Sequence, residues 1–190
     1  MPGLHRRALI ACGSALLGTG LVSGLPGRAL GRAHFDGNPF TLGVASGFPL
    51  PDSVVLWTRL APTPLAPAGG MDPEILPVTW EIAGDDRMRR IVQSGTAYAT
   101  PDWGHSLHVE PAGLEPDREY WYRFRVGDAE SPIGRTRTAP GFRASPDRLR
   151  LALASCQQYE HGYYAAYRHM LDDELDLIVH VGDYIYELSW

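Results

Sequence analysis

The sequence predicts an all-β sandwich that passes, after a short linker, into the opening strand–helix–strand unit of an α/β sheet. Three observations predict it. Between residues 34 and 140 the apolar residues come in short alternating runs, divided by clusters of Pro, Gly and Asp. That is the pattern of half-buried strands joined by tight turns, with no long helix among them. Residues 141–148 (GFRASPDR) are mostly polar and carry a proline, as a linker does. From 149 to 190 two nearly unbroken apolar runs flank a stretch with helical spacing, as expected of parallel strands covered on both faces.

The elements follow in chain order. Residues 1–33 carry Arg6, Arg7, Arg28 and Arg32 and no acid, with an apolar stretch from Ala8 to Leu25 and small residues near Ala29 and Ala33. This reads as an export signal. Gly13, Gly18, Gly20 and Gly24 dilute the stretch too far for a stable membrane span. Arg6-Arg7 followed by Ala8-Leu9 resembles a twin-arginine signal, whose export machinery carries folded proteins, although His5 stands where Ser or Thr is usual. An ordinary secretory signal is the alternative.

Within 34–140, FTLGVAS (40–46), SVVLWTRL (53–60), PVTWEIA (77–83) and EYWYRFRV (119–126) read as strands. The clusters PTPLAPAGGMDPE, AGDD, TPDWG and GDAESP read as their turns. In GLEPDREYWYRF, the spacing of Leu114, Pro116 and Tyr120 matches the corner of fibronectin III/Ig-like sandwiches, where a Tyr hydroxyl returns to the backbone. A generic sandwich with one aromatic strand is the plainer reading. His105 and His108 lie three apart on a strand or loop and carry no expected metal role.

In 149–190, LRLALAS (149–155) and DLIVHV (176–181) read as strands, and GYYAAYRHML (162–171) as a helix with Tyr163, Ala166, Tyr167 and Met170 on one face. Such a unit is right-handed with parallel strands, and its functional groups gather beyond the carboxyl ends of the strands. Cys156 and Asp183 fall at those ends, and Tyr186 follows three residues on. Neighbouring strands lie about 4.8 Å apart, so one ligand sphere can include all three. Thiolate, carboxylate and phenolate would repel one another without a cation, and phenolate favours a trivalent ion such as Fe(III). A buried apolar thiol, a turn-capping Asp and a packing Tyr account for the same spacing without a metal. His161, His169, His180 and Arg168 lie nearby and read as core or surface residues.

Charge narrows the function. Without residues 1–33 the chain holds 13 arginines, no lysine and 22 acids, a formal charge of −9. Nucleic-acid binding needs the opposite sign. A phosphate-ester substrate would be repelled as well, unless bound cations supplied local positive charge.

FTLGVASG (40–47), DSVVLWTRL (52–60), ASCQ (154–157), GYYAAY (162–167) and DLIVHVGDYIYE (176–187) together resemble the PhoD-like alkaline phosphatases of the calcineurin-like metallophosphatase superfamily. Phe48 departs from the family, which commonly has Asp there. The resemblance implies that Cys156, Asp183 and Tyr186 ligate Fe(III), with Asp183 bridging to Ca(II). It implies a bacterial enzyme, exported to the periplasm or beyond, that hydrolyses phosphate mono- or diesters by metal-assisted attack of a bound hydroxide or oxide. It also implies that residues 149–190 hold only the first βαβ unit of a truncated catalytic domain, inactive by itself, with further ligands and any acid or base beyond residue 190. Two alternatives stand beside this: a phospholipase D-type phosphodiesterase of the same fold, and a secreted β-sandwich binding module needing no metal.

Overall fold

The computed structural model describes residues 34–184, 186 and 188, so the export signal read in residues 1–33 lies outside the described residues. Eight strands form the sandwich: β1 (Val44–Gly47), β2 (Val55–Arg59), β3 (Leu76–Ala83), β4 (Ile91–Ala99), β5 (Ser106–Val109), β6 (Glu119–Val126), β7 (Ala129–Glu130) and β8 (Gly134–Arg137). One antiparallel sheet has the order β1-β2-β5. The other runs β4-β3-β6, with β7 and β8 pairing successive parts of β6.

Alternation builds the core. Along β6, Tyr120, Tyr122, Phe124 and Val126 are buried, while the residues between them face outward. They join Val78 and Ile82 of β3 and meet Leu56, Leu107 and Val109 of the other sheet in one cluster. Burying each such side chain contributes roughly 1.5–3 kcal/mol. The outer face of the larger sheet is charged instead. Glu81 and Arg123 are cross-strand partners 2.6 Å apart, and Arg125 and Glu130 lie 2.8 Å apart.

The corner before β6 is fastened as its spacing suggested: the Tyr120 hydroxyl accepts the Glu115 N–H at 2.9 Å. Thr138 Oγ1 donates to the Glu115 carbonyl at 2.6 Å and accepts the Arg118 N–H at 3.0 Å. Tyr120 is 2 % exposed, so Tyr120→Phe removes the partner of a poorly hydrated donor. A loss of about 1–2 kcal/mol is expected, read as a lower urea midpoint at constant slope; an unchanged midpoint would deny the corner any structural role.

One expected strand starts late, and β4, β5, β7 and β8 lie outside the runs read as strands. The run from Phe40 becomes a strand only at Val44, because Gly43 (φ 69°) closes a turn with its N–H on the Phe40 carbonyl. β4 carries no clear alternation in sequence. It forms because β3 offers it a full ladder, and it lies at the sheet edge.

Beyond the linker, β9 (Leu151–Ala154) and β10 (Leu177–His180) pair in parallel, joined through α1 (Ala165–Met170). The helix is shorter than the expected 162–171. A 3-10 turn at Tyr159–His161 precedes it, and Tyr163 and Tyr164 take left-handed φ values of 50° and 57°. The expected covering of both strand faces is also not found among the described residues: Leu151, Leu153 and Ile178 are 54 %, 64 % and 50 % exposed. A two-stranded sheet with a six-residue helix presents too little surface to enclose them.

Candidate metal centre

Because β9 and β10 are parallel, the segments that leave their carboxyl ends emerge side by side. Pairing continues past the strands: Val181 N–H donates to the Ala154 carbonyl at 3.0 Å, and Cys156 N–H to the Gly182 carbonyl at 3.2 Å. The backbone then turns sharply on both sides, with φ of 54° at Cys156, 124° at Gly182 and 50° at Asp183. Left-handed backbone is uncommon for residues with a Cβ and is held only where the surroundings demand it. Two such residues face one another at this edge.

Their side chains meet. Cys156 Sγ donates to Asp183 Oδ2 at 3.1 Å, and Ser155 Oγ lies 2.9 Å from the same sulfur. Tyr186 interacts with both Cys156 and Asp183. Its hydroxyl is pushed up to about 12, first by desolvation, then by its hydrogen bond to Cys156 and the neighbouring charges of Asp183 and Cys156. Cys156 and Asp183 therefore both oppose the ionisation of Tyr186. The three residues singled out from the sequence are in mutual reach.

Supporting residues complete the arrangement. His180 Nδ1 accepts the Gly182 N–H at 3.3 Å, and its ring stands edge-on to Tyr184 at 5.2 Å between centroids. Gln158 Nε2 donates to the Leu188 carbonyl at 3.1 Å, tying the loop after Cys156 to the loop after Asp183. Sequence reading passed over Gln158, whose only signal was its place two residues after Cys156. His161, His169 and Arg168 are exposed. In the sandwich, His105 is buried with Nε2 at 3.0 Å from the Glu74 carbonyl, whereas His108 is exposed on β5. Among the described residues no group of three His, Cys, Asp or Glu side chains is placed to hold an ion.

Comparison with known proteins follows the same division of the chain. The model of the PhoD-like phosphatase N-terminal domain matches residues 27–140, and that of the PhoD-like phosphatase domain matches residues 151–189. Alkaline phosphatase D of Bacillus subtilis (strain 168) is 57% identical over 154 residues, covering 81% of this chain and 26% of that protein. A solved structure described as "Structure of PhoD" is similar with a TM-score of 0.79 and 57% identity, over 82% of this chain and 30% of the other. The chain thus spans about a quarter of the length of the curated relative it matches.

Proposed function

The chain belongs to the PhoD-like phosphatase family, and from that premise we propose that it serves an enzyme hydrolysing phosphate esters, with Cys156, Asp183 and Tyr186 contributing to a ferric centre. The observation that carries the reading is the 3.1 Å approach of Cys156 Sγ to Asp183 Oδ2, with the Tyr186 hydroxyl engaging both. A thiol, a carboxyl and a phenol brought this close have a chemical use when a cation takes the place of their protons. Carboxylate and phenolate are hard donors suited to Fe(III), and thiolate also binds iron. The Asp183 carboxylate would also suit a hard cation such as Ca(II).

When bound, such ions withdraw charge from phosphoryl oxygens and activate water. The chain's own residues supply the rigid frame. The left-handed turns at Cys156 and Asp183, the bond from Cys156 N–H to the Gly182 carbonyl and the Gln158 tie hold the donors in place. Bound cations also offset the formal charge of −9 that residues 34–190 present to an anionic substrate.

Residues 1–33 act as a twin-arginine-type export signal in this reading, which suits an enzyme that folds around its metal before leaving the cytoplasm. Among the described residues no helix is long and apolar enough to cross a membrane.

The intact protein, purified without chelators, is expected to contain iron and to hydrolyse p-nitrophenyl phosphate or its bis ester. Phosphatidylcholine as a third substrate separates a phospholipase D-type preference. Iron-free protein with undiminished turnover would overturn the metal assignment, and inactivity of the iron-loaded protein on all three esters would overturn the hydrolase.

A further inference from the structure

The register of β9 against β10 decides whether Cys156 meets Asp183. A slip of one residue moves one strand by about 3.3 Å and turns its side chains to the opposite face. A hydrophobic pattern fixes register where one face is buried and the other solvated. That discrimination is weak here, because LALA and LIVH are apolar almost throughout. Another device must hold the pair.

Polar contacts at the opposite end of the strands provide one. Asp176 Oδ2 accepts the Arg150 N–H at 2.8 Å, while the Arg150 carbonyl accepts the N–H of Asp176 at 2.9 Å and of Leu177 at 3.3 Å. One carboxylate thus clasps the first residues of both strands. Its other oxygen, Oδ1, accepts Arg137 Nη1 at 3.1 Å. Arg137 ends β8 of the sandwich and is itself held by Asp117 Oδ1 at 2.7 Å. The backbone on either side of Arg137 is anchored to the sandwich: Thr136 pairs with Tyr120 of β6, Thr138 N–H bonds the Arg118 carbonyl, and Ala139 N–H the Leu50 carbonyl. Arg137 is therefore a fixed cation, set just before the linker and aimed at the clasp.

We propose that Arg137 is a positioning residue through which the sandwich sets the register of the parallel pair, and with it the Cys156–Asp183 spacing, by holding Asp176 as the clasp. The significance of that spacing rests on the ferric reading above. The geometric claim can be tested without metal.

Amide hydrogen exchange on the 190-residue chain reads the effect directly. Arg137→Met is expected to speed exchange at the Cys156 and Val181 amides about two- to fivefold, as the loss of a partly exposed ion pair allows, leaving the β3 and β6 amides unchanged. Asp176→Asn keeps an oxygen for the Arg150 N–H but loses the charge facing Arg137, so the same selective change is expected. Arg137→Lys, which keeps a cation within reach of the carboxylate, is expected to restore most of the protection. Unchanged exchange at Cys156 and Val181 would overturn the proposal, as would an equal rise throughout the sandwich or a failure of lysine to rescue. The expected exchange pattern, found together with an intact protein that is iron-free yet fully active, would instead keep the clasp and remove the ferric reading.

Discussion

Cys156→Ala in the intact protein is expected to weaken iron binding by at least about a hundredfold. Replacement of groups that merely support metal ligands costs 10–100-fold, and here a ligand itself would be removed. Cys156 is exposed on the 190-residue chain, so its truncation there opens no core cavity, and the unfolding free energy of that chain should stay within about 0.5 kcal/mol of wild type. That separates the loss of a donor from the loss of the fold. Asp183 and Tyr186 remain, yet two hard oxygens hold a ferric ion less firmly than three donors closing one face. Competition against a chelator of known affinity measures the effect. Iron bound as tightly by Cys156→Ala as by wild type would remove the thiol from the ligand set.

Gly134→Ala carries the largest expected effect on stability. Gly134 in β8 is the cross-strand partner of Tyr122 in β6, and a Cβ there would lie 2.4 Å from Tyr122 Cζ. Tyr122 is 2 % exposed and stands edge-on to Phe124, with ring centroids 6.3 Å apart. Its burial pushes the hydroxyl up to about 12, which reports the same tight surroundings. The ring has little room to yield, and overpacking of this kind costs about 1–3 kcal/mol, with the upper end expected here. Gly95→Ala is the control. Gly95 pairs with Trp80, and its added Cβ would lie 2.6 Å from Trp80 Cζ2, but Trp80 is only half-buried at the margin of the core and is less tightly enclosed than Tyr122. A cost under about 1 kcal/mol is expected. Urea unfolding of both variants decides the matter, and equal costs would mean that ring burial does not govern these aromatic-over-glycine pairs.

Much of the architecture was legible because it is encoded locally. β6 announces itself through Tyr120, Tyr122, Phe124 and Val126, since a strand with one buried face must alternate. The parallel pair was legible for the complementary reason, as two apolar runs about a helical stretch have few other ways to pack. β4 was missed because an edge strand with a thinly covered face needs no regular pattern, and its ladder with β3 supplies the order its own residues do not express. The helix was overestimated because periodicity cannot register the left-handed backbone at Tyr163 and Tyr164.

The three candidate donors could be named from strand ends and donor chemistry, but not their contact. The 3.1 Å approach joins residues 27 positions apart and depends on register, on two left-handed turns and on hydrogen bonds across the pair. The same holds for Arg137 and Asp176, 39 positions apart, which look like ordinary surface charges until the fold sets them face to face. By itself the sequence determined which residues alternate, where the chain turns and which side chains have the chemistry to hold a cation, because those properties belong to neighbours along the chain. Only the tertiary structure decided which of them meet, because strand pairing and backbone handedness at a turn are settled by contacts between distant segments.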